Sequence, residues 1–96
     1  MACKRVGVYA LHGNSIDVVR QVTEEMLPVL KRQPGFIDDE LITAGDKLIS
    51  ISTWRSREHA TEGAVKTASF VHDHLADHLQ LEHSFMGEVA MSSRGA

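Results

Sequence analysis

The chain is poor in the residues that most often announce a function. It has one cysteine, two prolines, one tryptophan and one tyrosine, and aromatics make up only 5% of it. The lone cysteine, Cys3, excludes an intramolecular disulfide and fits a reducing compartment. Its place beside Lys4 and Arg5 in an N-terminus expected to fray marks it as a bystander thiol. Long hydrophobic runs are missing. The apolar stretch 6–11 is too short for a signal-peptide core, and nothing approaches the ~18 residues that span a bilayer, so no membrane is expected and the cytoplasm is the expected location. An excess of positive charge is missing as well. Ten Lys and Arg against thirteen Asp and Glu give a net charge of −3, which offers no basic field to nucleic acid or to an anionic membrane.

What is present reads as one domain over 1–96, with 92–96 a disordered tail. Lys4 to Leu11 alternates as a strand, with Val6, Val8 and Ala10 on one face and Gly7, Tyr9 and Leu11 on the other. Asn14 or Ser15 caps a helix from about Ile16 to Lys31, in which Pro28 predicts a kink or a reset last turn. Gln33-Pro34-Gly35 ends it. Phe36 to Ala44 and Lys47 to Trp54 form a hairpin about Gly45-Asp46. A second helix is expected from about Glu58 to about Leu81, capped near Ser56, and a last strand from Glu82 to Met91. The order β-α-β-β-α-β is the ferredoxin-like α+β arrangement, an antiparallel sheet with two helices on one face.

The third strand presents two different faces. Ile49, Ile51 and Thr53 are β-branched, and the second face carries Leu48, Ser50, Ser52 and Trp54. Two small hydroxyl residues beside one large aromatic suit a sheet surface that stands off from its helix and leaves a cavity; the same serines also suit a strand facing solvent. The Ile49–Ile51 face lies opposite the helices and needs a partner to cover it.

These motifs resemble the antibiotic-biosynthesis-monooxygenase-like family. The resemblance covers nearly the whole chain. It rests on Leu27-Pro28-Val29-Leu30 followed by Gln33-Pro34-Gly35-Phe36, on the run Gly45 to Trp54, on Ser56-Arg57-Glu58, and on Gly87-Glu88-Val89. It implies homodimers whose two sheets close a dimeric α/β barrel, with a pocket in each protomer between sheet and helices and Trp54 in its wall. Members include cofactor-free oxygenases of polycyclic phenols or quinols and haem-degrading oxygenases. The haem branch uses a strand-one asparagine and a histidine about three helical turns after the tryptophan. Here strand one has no asparagine, and the second position reads Gly63-Ala64-Val65-Lys66. The resemblance therefore implies no cofactor and a small aromatic, phenolic or quinol substrate, with a non-catalytic ligand-binding or structural homodimer as the alternative.

Chemistry-bearing side chains crowd the end of helix two: His72, Asp73, His74, Asp77, His78, Glu82 and His83. On a helix, His74 and His78 share one face at metal-bridging spacing, but there is no His-Glu-x-x-His arrangement and a solvated polar run explains the pattern better than a metal site. Relative to the apolar stripe from Ala64 to Leu79, His78 falls inside the arc and His74 at its edge. His78, and after it His74, is thus the candidate catalytic base, since imidazole ordinarily titrates near neutrality; the bland reading of His78 is a core-edge histidine bonded to a backbone carbonyl. Trp54, Ser50, Ser52 and Tyr9 are the candidate substrate-binding residues, the two aromatics able to stack on a ring or simply to fill the core. His12 reads as an ordinary loop residue, with reach to the pocket mouth as the alternative, and Asp38-Asp39-Glu40, whose alternate side chains point oppositely, as strand edge or solvent surface.

Overall fold

The computed structural model describes residues 2–93, so the last three residues of the expected tail lie outside the described residues. β1 (Cys3–Leu11), β2 (Phe36–Ala44), β3 (Lys47–Trp54) and β4 (Leu79–Glu88) form one antiparallel sheet in the order β2-β3-β1-β4. Both helices pack on one face of it. α1 (15–31) and α2 (57–75) therefore complete the ferredoxin-like split βαβ arrangement.

α1 begins where Asn14 accepts backbone N–H bonds from Ile16 and Asp17, with Asp17 at the positive end of the helix dipole. The effect of Pro28 is a reset rather than a break. Residues Val22–Met26 widen into a π turn, in which the Leu27 N–H reaches Val22 O, and Leu27–Lys31 resumes as α-helix with Pro28 in its first turn. The wider turn meets the missing proline N–H and relieves its ring of the carbonyl four residues back.

α2 departs from the sequence expectation. It is capped by Ser56, runs as α-helix over Arg57–Phe70, widens over Val71–Leu75 and stops there, six residues before Leu81. The His78 N–H closes a turn onto Leu75 O at 2.9 Å, and the last strand begins at Leu79 rather than at Glu82. Pairing with β1 decides this: Leu79, Gln80 and Leu81 lie opposite Leu11, Ala10 and Tyr9. Leu75 and Leu79 satisfy a helical stripe and a strand start equally well, and the sheet wins. A register shift between Val8 and Tyr9 leaves Glu82 as the extra residue of a bulge. Cys3 is corrected too. It is not frayed but opens β1, fully buried and paired with Trp54 and Glu88.

The core lies between sheet and helices. Tyr9, Leu11, Leu48 and Trp54 from the sheet meet Val18, Val22, Met26 and Leu30 from α1 and Ala60, Val71 and Leu75 from α2. The opposite sheet face carries Val6, Val8, Ile49 and Ile51, half-buried in the single chain, beside the more exposed Ile42 and Phe85. Among the described residues, no helix is long and apolar enough to cross a membrane.

Candidate functional site

The helix-facing surface of the sheet is more polar than an ordinary core, and the polarity begins at Arg5. Strand alternation puts Arg5 on the face of Tyr9, where it is 3% exposed. Its Nε donates to Ser84 Oγ at 3.2 Å and its Nη1 to the Tyr9 hydroxyl at 3.1 Å. The guanidinium and the phenol ring lie across Gly7. A Cβ there would stand 2.8 Å from Arg5 Nη1 and 3.0 Å from Tyr9 Cε1, so the pair depends on a residue without one.

Ser50, Ser52 and Trp54 share that face, and all three are buried. Trp54 Nε1 donates to Ser52 Oγ at 2.9 Å, and Ser52 Oγ reaches Arg5 O at 3.4 Å. The indole meets Phe36 edge-to-face at 5.4 Å and lies directly over Gly63 of α2. Ser52 therefore satisfies the buried indole donor, Ser50 donates to the Asp39 carboxylate, and the tryptophan fills the space up to the helix. Neither of the openings left open by the sequence occurs at Trp54: the face is not turned to solvent, and the indole itself occupies the gap.

The cavity lies further along the sheet. A cleft of about 360 Å³ opens between the C-terminal half of α2 and the β1–β4 pair. Tyr9, Ala68, Val71, Leu79 and Leu81 make its apolar walls, and His12, His72 and Gln80 supply polar groups. Of the candidate catalytic and substrate-binding residues, Tyr9 alone lines it. His78 sits in the turn after α2, where its Nδ1 is 3.3 Å from His12 O and its own carbonyl accepts the His12 N–H at 2.8 Å. It thus brackets His12, which stands at the cleft, and Nδ1 donating to that carbonyl leaves Nε2 as the acceptor nitrogen. His74 lies outside the cleft lining, with its ring 4.6 Å from that of Phe70. With His78 off the helix, the i, i+4 relation of His74 and His78 is lost. Among the described residues, no three His, Cys, Asp or Glu side chains come together as a metal cluster. His72 is highly exposed and lies 3.2 Å from Asp73.

Asp39 is the residue the sequence misplaced. The acidic run splits between faces: Asp38 and Glu40 are exposed, whereas Asp39 turns under α1 and accepts a bond from Ser50 Oγ at 3.0 Å. Burial pushes its carboxyl up from 3.8 to about 6, although Ser50, the Glu40 backbone and Arg5 pull it back; neighbouring Asp38 adds to the rise. The folded chain holds this proton more tightly than the unfolded chain, so stability should fall as pH rises from about 4 to about 6. The full linkage for such a shift is about 3 kcal/mol, and partial solvation reduces it to about 1–2. Asp39→Asn should lose this component. Urea unfolding of both chains at pH 4 and pH 7 checks it, and equal pH slopes would contradict it.

No family profile matches the chain, and no curated protein matches it. Solved structures do. SnoaB from Streptomyces nogalater, a cofactor-independent oxygenase, aligns over 97% of both chains with a TM-score of 0.76 at 15% identity. Rv0793 from Mycobacterium tuberculosis aligns over 97% of this chain and 99% of its own, with a TM-score of 0.72 at 11% identity. A protein described as an antibiotic biosynthesis monooxygenase aligns over 93% and 99%, with a TM-score of 0.69 at 13% identity. The chain has the antibiotic-biosynthesis-monooxygenase-like fold; at these identities the likeness is one of fold.

Proposed function

We propose that the protein is a cofactor-independent monooxygenase-like enzyme acting on a small aromatic, phenolic or quinol substrate in the α2–β4 cleft. The observation that carries this reading is the cleft itself, an apolar space of about 360 Å³ with His12 and His72 among its lining residues. That volume is at the lower end for ligand pockets. Its balance of apolar wall and imidazole suits an electron-rich ring that must lose a proton. His12 is the better base, since its backbone is held on both sides by His78, whereas His72 is turned toward Asp73. With an anthrone-type substrate, His12 would take a proton from the ring-flanked methylene. The resulting anion would react with dioxygen, one oxygen atom becoming the new carbonyl and the other leaving as water. Oxygen uptake and carbonyl formation with anthrone test this; uptake no faster than in protein-free buffer would remove the enzymatic reading.

The close packing of Trp54 against Gly63 and Phe36, with its Nε1 bonded to Ser52, favours a second reading, a small-ligand-binding or structural homodimer without chemistry. Both readings use the dimer. Val6, Val8, Ile49 and Ile51 form an apolar sheet face that no helix among the described residues covers, with Phe85 61% exposed beside them. Thr53 Oγ1 on the same face is the one buried side-chain oxygen without a partner among the described residues. Ile51→Glu should halve the mass measured by light scattering; an unchanged mass would place the interface elsewhere.

A further inference from the structure

The α2–β4 cleft leaves unused a groove on the other side of the core, between α1 and β2. A cavity of about 230 Å³ lies under the π turn, lined by Val19, Val22, Thr23, Leu27, Asp39 and Leu41. A second space of about 310 Å³ shares Val19 and Leu41 with it and continues toward Ile16 and Thr43. The two make one groove with aliphatic walls. Among the described residues, Asp39 is the only charged side chain in the lining of either space.

We propose that this groove is a second binding site that takes a small amphiphilic amine, its ammonium on the Asp39 carboxylate and its hydrocarbon along Val19 and Leu41 toward Ile16. Three observations converge on a cation. Ser50 Oγ donates to Asp39 Oδ1 and the Glu40 backbone also bonds the carboxylate, and a carboxylate, with about four lone-pair sites, has acceptor capacity beyond these two. The Thr23 hydroxyl is committed to Val19 O at 2.8 Å, so it does not compete for the carboxylate. Ile16, at the open end, is 70% exposed and offers apolar surface that a hydrocarbon tail would cover. An anion would be repelled by Asp39 and by the net charge of −3. An alcohol would bring one neutral donor where an ammonium brings three charged ones. The raised Asp39 titration fits, because a partly desolvated carboxylate gains from a cation at its side. The other charges acting on it are Arg5 from β1, which favours the anion, and Asp38 from β2, which opposes it.

The test is amide chemical-shift titration of the full chain with n-hexylammonium and, separately, hexan-1-ol at pH 7.5. Hexylammonium should move residues 19–23 and 39–41 saturably. Asp39→Asn should weaken it on the order of tenfold, the loss expected for one charge-assisted contact. Hexan-1-ol should bind about as weakly to the unaltered chain, and hexylammonium should itself weaken as pH falls from 7.5 to 5. Leu41→Trp, which fills the groove and leaves the carboxylate in place, should abolish binding and carries the test if Asp39→Asn misfolds. Equal affinity for the alcohol and the amine, undiminished binding to Asp39→Asn, or shifts confined to residues 9–12 and 76–81 would overturn the proposal. Because the groove and the α2–β4 cleft share no lining residue, each reading stands or falls by itself.

Discussion

Gly63→Ala is expected to destabilise the protein by about 2–3 kcal/mol, the opposite of its effect on an exposed helix. In an isolated helix the change gains about 1 kcal/mol of propensity. Here the new Cβ would overlap two carbons of the Trp54 indole, closer than real Cβ contacts come. The indole has no free direction in which to retreat. It is 1% exposed, tied through Nε1 to Ser52, and flanked by Phe36. Overpacking costs about 1–3 kcal/mol and occasionally more. Against an indole that cannot retreat the cost lies at or above the top of that range, about 3–4 kcal/mol, and the propensity gain reduces it to the net loss of about 2–3. For a domain of this size the loss corresponds to a Tm lower by roughly 10–20 °C. Thermal unfolding checks the value. In the pair Gly63→Ala with Trp54→Leu, the second change should relieve the first, a coupling that additive effects would not produce. A stabilised Gly63→Ala chain would mean that the indole does not press on α2.

His12→Ala should lower turnover of an anthrone-type substrate on the order of 10²-fold or more, the usual share of a positioned general base. The fold should survive, because His12 is exposed and its structural bonds to His78 are made by its backbone. Added imidazole should restore part of the rate. His78→Ala removes only the Nδ1 contact to His12 O, so its effect should be smaller and should come through the placement of the 12–14 loop. Steady-state oxygen uptake separates the cases; a larger loss at His78 than at His12 would exchange their roles.

The topology was legible because its signals are local. The Asn14 cap, the Gln33-Pro34-Gly35 stop and the Gly45-Asp46 turn each set a boundary within a few residues. The end of α2 was not, because Leu75 and Leu79 fit a helix and a strand alike and only pairing with β1 distinguishes them. That one boundary decided the reading of the site. Carrying the helix to Leu81 placed His78 on an apolar face, whereas the turn at 76–78 directs it to His12. Arg5 and Asp39 were within reach of simple counting. Arg5 lies four residues from Tyr9 on the same strand face. Counting back from the hairpin turn sets Asp39 opposite Ser52, on the side of the serines and the tryptophan. Composition alone argued for solvent at both positions, and buried hydrogen-bond partners overrode it.

The most direct test of the account is where an aromatic ligand sits. Amide chemical-shift titration with 1-naphthol should move residues 9–12, 68–72 and 79–81 around the cleft, while 52–54 and 60–63 around the close-packed indole stay in place. Shifts centred on Trp54 and Gly63, with the cleft residues unmoved, would contradict it.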